Sequence, residues 1–259
     1  MPCLPSHGRV NCTRCFVSPQ AVAFDKTKRT SPEETWRITS NPLAWGSAEP
    51  EIVVLGFSKG HTQAGALATA THNEIAYKKW RTAVGKILAH VGVVSAPKDG
   101  RYREMVDGLI EDRSGRFHFG SLVRCTVERY DRNSRDWKSS GGGMLDKFMA
   151  TGFGNEVATN CALEFLGELP ATTRLVVMFG MGNKLNYVRA TRKLLEKVRP
   201  GQWRTVNDVA YSDGQITFVH VEHFAAQGAL IPNWLGENNH PRSDYGRKAR
   251  DAVQAALLG

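Results

Sequence analysis

The apolar positions of the chain fall into two patterns. Residues 50–56 (Pro-Glu-Ile-Val-Val-Leu-Gly) and Leu175–Phe179 are short, near-continuous apolar runs, each closed by a glycine. That is the pattern of strands buried on both faces of a parallel sheet. Similar runs at 117–124 and 216–222 predict two more strands. Between them, Ile75, Trp80, Val84, Ile87, Leu88 and Val91 recur at helical spacing over 74–92. Further helices are expected over 155–168, 184–197 and 243–258. Alternating strands and helices predict an α/β fold: one domain, 1–259, a three-layer α/β/α sandwich around a four-stranded parallel sheet.

The intervening segments are polar. Residues 1–45 read as an irregular arm lying on the main body. Residues 57–71, rich in Gly, Ala, Thr and Ser, read as a loop at the C-terminal edge of the first strand, where open α/β sheets place ligands. Residues 128–143, charged and then Ser- and Gly-rich, read as a mobile surface loop, and a long loop with Trp234 is expected after His223.

Composition narrows the partner. The chain has 259 residues, 41% of them hydrophobic, and a formal net charge of +9. An excess of Lys and Arg suits a polyanion, because binding a phosphate backbone releases counterions. No apolar run reaches the roughly 18 residues of a membrane span. The start, Met1-Pro2-Cys3, lacks an apolar signal core. A cytoplasmic monomer without membrane contact is expected.

Cys3, Cys12, Cys15, Cys125 and Cys161 are an odd set, which argues against a disulfide framework. The two-residue gap of Cys12-Thr13-Arg14-Cys15 lets two thiolates reach one metal centre. The gap alone also fits a redox pair, half a zinc site, or chance.

From about Asn11 onward the chain resembles the iron–sulfur uracil-DNA glycosylases, often called family 4. Asn11-Cys12-Thr13-Arg14-Cys15 matches that family's N-terminal Cys pair. Glu51–Gly60 stands where the family has a strand and then Gly-Glu-Gly-Pro-Gly. Gly120–Cys125 stands where it has Thr-Asn-x-Val-Lys-Cys. Cys161 precedes Pro170 and a strand, as the family's fourth Cys does, and His223 stands where the family has His-Pro-Ser/Ala. The resemblance implies Cys12, Cys15, Cys125 and Cys161 as ligands of a structural [4Fe–4S] cluster; the same thiolates would suit zinc. It also implies a DNA partner and monofunctional base excision, with no lysine nucleophile evident for a lyase step.

Base excision requires a flipped base and a donor to its leaving carbonyl. By the resemblance, His223 is that donor and Ser121 stands for the base-reading Asn. His240-Pro241 is a competing pair. The implied pocket comprises Gly56, Phe57, Ser58, Gly60, Tyr77 and Ser121. Here the sequence departs from the family: Phe57 replaces the water-polarising Glu, Lys59 its Pro, and Phe224 the Pro after the histidine. Glu74, Glu222 and Asp131 are the nearest carboxylates, and His61, His72 and Asn73 lie in or beside the same loop. The shortened reader and small-residue loop lead us to expect a pyrimidine larger than uracil, hydroxymethylated or glucosylated, as in hypermodified phage DNA. Lys59, Arg124 and Arg129 are expected on DNA, with Lys78, Lys79, Arg132, Arg135, Arg242, Arg247 and Lys248 near it. Leu230 or Ile231 is expected to wedge into the duplex. A plain uracil-DNA glycosylase, a non-catalytic DNA binder and a small-molecule enzyme are the rivals.

Overall fold

The computed structural model describes residues 3–139 and 144–258. In chain order the elements are β1 (Gly8–Arg9), β2 (Lys28–Thr30), β3 (Trp36–Thr39), β4 (Leu43–Gly46) and β5 (Ile52–Gly56), then α1 (His61–Ala66), α2 (His72–Ile75), α3 (Arg81–His90) and α4 (Tyr102–Glu111). Next come β6 (Phe117–Ser121), β7 (Thr126–Asp131), β8 (Asp136–Lys138), α5 (Met144–Met149), α6 (Gly152–Phe165), β9 (Leu175–Phe179) and α7 (Asn186–Val198). The chain ends with β10 (Arg204–Asn207), β11 (Ala210–Ser212), β12 (Thr217–Val221), α8 (Leu230–Leu235) and α9 (Ser243–Leu258).

β5 and β9 are buried along their whole length, as continuous apolar runs require when both faces of a sheet are covered. They sit centrally in a sheet of order β1-β4-β6-β5-β9-β12-β11-β10. The inner neighbours β6, β5, β9 and β12 pair in parallel. β4 and β1 extend one edge antiparallel, and β11 and β10 the other. The sheet is therefore eight-stranded rather than four-stranded: the expected parallel strands form its middle, and four short strands lengthen it. Parallel pairing brings the C-terminal ends of β5 and β6 side by side, with Gly56 opposite Ser121.

Four sequence expectations need correction; one is the long loop expected after His223, which contains α8 with Trp234 buried on it. Residues 1–45 are not an irregular arm. They supply β1 to β3 and part of β4, and Trp36, Ile38, Leu43, Ala44 and Trp45 are buried in the core. Residues 128–138 are not a loop, since β7 and β8 form a hairpin in a second sheet of order β2-β3-β7-β8. The remainder of that expected loop includes 140–143, which lie outside the described residues. The expected helix over 74–92 is broken at Tyr77, whose φ of 50° is left-handed. Arg81 stabilises the break, donating from Nε to the Ala76 carbonyl at 2.9 Å and from a terminal nitrogen to the Asn73 carbonyl.

Candidate functional site

A narrow cleft opens at the C-terminal ends of β5 and β6. It is lined by Trp45, Gly56, Ser58, Gln63, Ala76, Tyr77, Gly120, Ser121 and Phe224. Gly56, Ser58, Tyr77 and Ser121 are thus brought together as the sequence reading expected. Trp45, Gln63, Ala76, Gly120 and Phe224 are additions. Trp45 arrives through the antiparallel pairing of β4 with β6, opposite Phe119, a long-range register that no local pattern discloses. Gln63 lies on α1, a short helix within the stretch read as an open loop, so the cleft is closed in rather than roomy.

The left-handed turn at Tyr77 puts its buried ring against Phe119, Phe179 and Phe224, with centroids 5.0–6.1 Å apart and edge-to-face. Such contacts fix an aromatic wall. Phe57 and Gly60 do not line the cleft. Phe57 turns inward onto Phe148 and Tyr187, because a benzyl group at a strand end gains more from the core than from water. Gly60 precedes the first turn of α1.

His223 lies two residues beyond β12, stacked on Phe224 at 4.5 Å. Its Nδ1 accepts the Ala225 N–H at 3.1 Å, which places the ring proton on Nε2. Burial lowers its pKa to about 4, so the ring is neutral at ordinary pH. The competitor His240 is exposed and its Nδ1 accepts the Arg242 N–H at 3.0 Å.

The candidate water-activating carboxylates are engaged elsewhere. Glu222 accepts the His223 N–H at 2.9 Å and pairs with Arg242 at 2.5 Å. Glu74 closes a capping box with Thr71 at the start of α2. Asp131 pairs with Lys138 in the β7–β8 hairpin. Of the loop polar groups, His72 hydrogen-bonds the Ala44 carbonyl at 2.9 Å and stacks on Trp45, Asn73 gives its carbonyl to Arg81, and His61 opens α1 exposed to solvent.

Two expected DNA contacts are wrong. Lys59 is 2% exposed and Arg124 1%, so neither side chain reaches a phosphate. Lys59 Nζ donates to the Arg124 carbonyl. Arg124 runs beneath Gly120, donating to the Leu43 carbonyl and to His118 Nε2, each at 3.1 Å. Arg129 is half-buried on β7, and Lys78 and Lys79 are exposed directly after Tyr77. Leu230 is among the few exposed large apolar side chains, at the start of α8, while the neighbouring Ile231 packs against the core.

Cys12 and Cys15 lie between β1 and β2, Cys125 precedes β7, and Cys161 is on α6. Cys125 and Cys161 lie within electrostatic reach of Lys59, and Cys12 and Cys161 within reach of Arg124. The Cys161 thiol hydrogen-bonds Cys15, lowering the Cys15 pKa to about 7 and raising that of Cys161. Asn160 Nδ2 lies 3.6 Å from Cys15 Sγ. Burial pushes Cys125 up to about 11, with Lys59 opposing, and Cys12 and Cys15 lie within electrostatic reach. Burial also raises Cys12. Among the described residues, no three His, Cys, Asp or Glu side chains form a group fit for a single metal ion. Four thiols beside two buried cations form a donor set suited to a group that is anionic when bound. Cys3 is exposed.

No helix of the described residues is long and apolar enough to cross a membrane. No protein-family model and no curated protein matches the sequence.

Proposed function

We propose that the chain is a monomeric DNA glycosylase that flips out a modified pyrimidine and hydrolyses its N-glycosidic bond. The observation that carries this reading is His223, a neutral imidazole with its tautomer set by the Ala225 N–H. The ring does not itself line the cleft at the C-terminal edge of the parallel sheet but stacks on Phe224, which does. As the glycosidic bond breaks, negative charge collects on the leaving base. An Nε2–H aimed at its carbonyl oxygen stabilises that charge as an oxyanion donor does. A neutral donor suits the task because it need not lose a proton to the base.

Tyr77 and Phe224 provide the aromatic wall against which a base stacks, and Ser58 and Ser121 offer hydroxyls to its edge. Phe57 cannot polarise water, and Glu222 is occupied by Arg242. The attacking water is then assisted by the phosphates flanking the sugar rather than by a dedicated base. Lys78, Lys79 and Arg129 hold the backbone, and Leu230 fills the gap left by the flipped base.

The short side chains of Ala76 and Ser121, with Gly56, are what support a substituted base over plain uracil. The cleft encloses only about 10 Å³, so its walls must part before a base enters. Two packing groups of helices, α3 with α4 and α8 with α9 against α5 with α6 and α7, support a three-layer arrangement around the sheet.

Cys12, Cys15, Cys125 and Cys161 would hold a [4Fe–4S] cluster, which fastens the N-terminal strands to α6 and takes no part in the bond cleavage. A cubane binds each thiolate to a separate iron, so its ligands stand farther apart than those of a single zinc ion.

The reading is tested by treating duplexes containing uracil, hydroxymethyluracil, hydroxymethylcytosine or glucosylated hydroxymethylcytosine with protein and then alkali. Strand breakage at one modified base, absent in His223→Ala, supports it. Salt-sensitive DNA binding without breakage on any duplex replaces it with a non-catalytic binder.

A further inference from the structure

Burying a cation without a counter-charge costs several kcal/mol, so proteins match such charges. Arg199, 6% exposed, meets this rule: its Nε and a terminal nitrogen reach Asp213 at 2.9 and 2.7 Å. Lys59 and Arg124 are buried more deeply still and are not matched in this way. Among the described residues neither forms an ion pair with a carboxylate. Lys59 has only the Arg124 carbonyl, and the Nε of Arg124 has no partner. Asp25, within reach of Lys59, acts on it less than Cys125 or Cys161 does, and it accepts a hydrogen bond from Asn41 at 2.9 Å. The two cations also repel each other. Besides Asp25 and the Tyr77 phenol, whose pKa burial raises, the groups around them able to carry negative charge are Cys12, Cys125 and Cys161, and Cys125 directly follows Arg124 in the chain.

We propose that Lys59 and Arg124 are the counter-charges of a four-thiolate metal centre on Cys12, Cys15, Cys125 and Cys161, and that Lys59 is the residue that lets a dry interior hold it. The inference rests on the cofactor reading above. A cubane in its usual oxidised state, or a zinc ion, bound to four thiolates is a dianion, and two buried cations neutralise it. Lys59 lies three residues after β5, so the centre also ties the cleft's first loop to the cysteine-bearing segments. Lys59 is a positioning residue: it touches neither substrate nor the reacting bond.

The test uses the full chain, purified anaerobically, as wild type and Lys59→Met. Iron, zinc and acid-labile sulfide are quantified, metal loss to a chelator is followed, and metal-stripped samples are melted. Outer groups around metal ligands commonly alter affinity by about 10–100-fold. Wild type is expected to hold iron and sulfide in equal amounts, and Lys59→Met to lose its metal about tenfold more readily. The stripped variant is expected to melt higher than stripped wild type, because an unmatched buried charge has gone. A merely structural lysine would not produce these opposite signs. Equal metal retention in the two proteins, or a stripped variant that melts lower, overturns the inference. Zinc without sulfide keeps the counter-charge role and replaces the cubane, while wild type that binds no metal overturns the four-thiolate reading and this inference together. Base release is not measured here, so the outcome is independent of the glycosylase reading.

Discussion

His223 Nδ1 accepts the backbone N–H of Ala225 at 3.1 Å, and this bond decides which ring nitrogen can donate. A ring held this way presents Nε2–H and keeps it down to about pH 4, where burial finally yields to protonation. His223→Ala is expected to lower single-turnover base release about a hundred- to a thousandfold, the usual loss for one oxyanion donor. His223→Gln, which retains an N–H, is expected to lose less. Equal activity in all three proteins would remove His223 from the chemistry.

Burial of histidines predicts acid sensitivity. His118 and His220 have pKa values lowered to about 3 and about 4 by burial, against an ordinary 6.5 in the unfolded chain. The unfolded state therefore binds more protons between those limits. The stabilisation is complete above pH 6.5 and is lost as pH falls from there towards about 4. Melting temperature measured across this window should fall steadily, and a flat profile would contradict the neutral assignment.

Gly120→Ala tests the packing between cleft and cysteines. An added Cβ would collide with the Arg124 guanidinium, which is held by Leu43 and His118 and has nowhere to retreat. A cost of about 1–3 kcal/mol is expected, typical of overpacking, read as a lower denaturation midpoint at unchanged slope. An unshifted midpoint would mean that the guanidinium is not confined there.

Leu230→Ala addresses the proposed wedge. The side chain is 39% exposed at the start of α8, so its removal should scarcely change stability. Release from duplex DNA is expected to fall several-fold while release from single strands stays the same, because only the duplex must be unstacked. Equal losses on both substrates would assign Leu230 to packing.

The sequence made the middle of the fold legible for a physical reason. Ile52–Leu55 and Leu175–Phe179 are apolar on both faces, and only a covered parallel strand requires that. β10, β2 and β8 carry mostly polar residues over three or four positions, too few to establish a period, so the sheet edges and the second sheet escaped notice. Within the cleft, Gly56, Tyr77 and Ser121 could be placed because they lie at or near the ends of legible elements. Trp45 could not, since its position depends on β4 pairing with β6 across some seventy residues of chain. Lys59 and Arg124 were read as surface cations because residue type carries no mark of burial.

The central claim is tested most directly by identifying the base set free. Protein and its His223→Ala variant would be incubated with phage-type modified DNA and with uracil DNA, and the small-molecule fraction analysed by mass spectrometry. One hydroxymethylated or glucosylated pyrimidine is expected to appear as the free base with wild type and to be nearly absent with the variant. No free base from any DNA, or release that His223→Ala leaves unchanged, would contradict it.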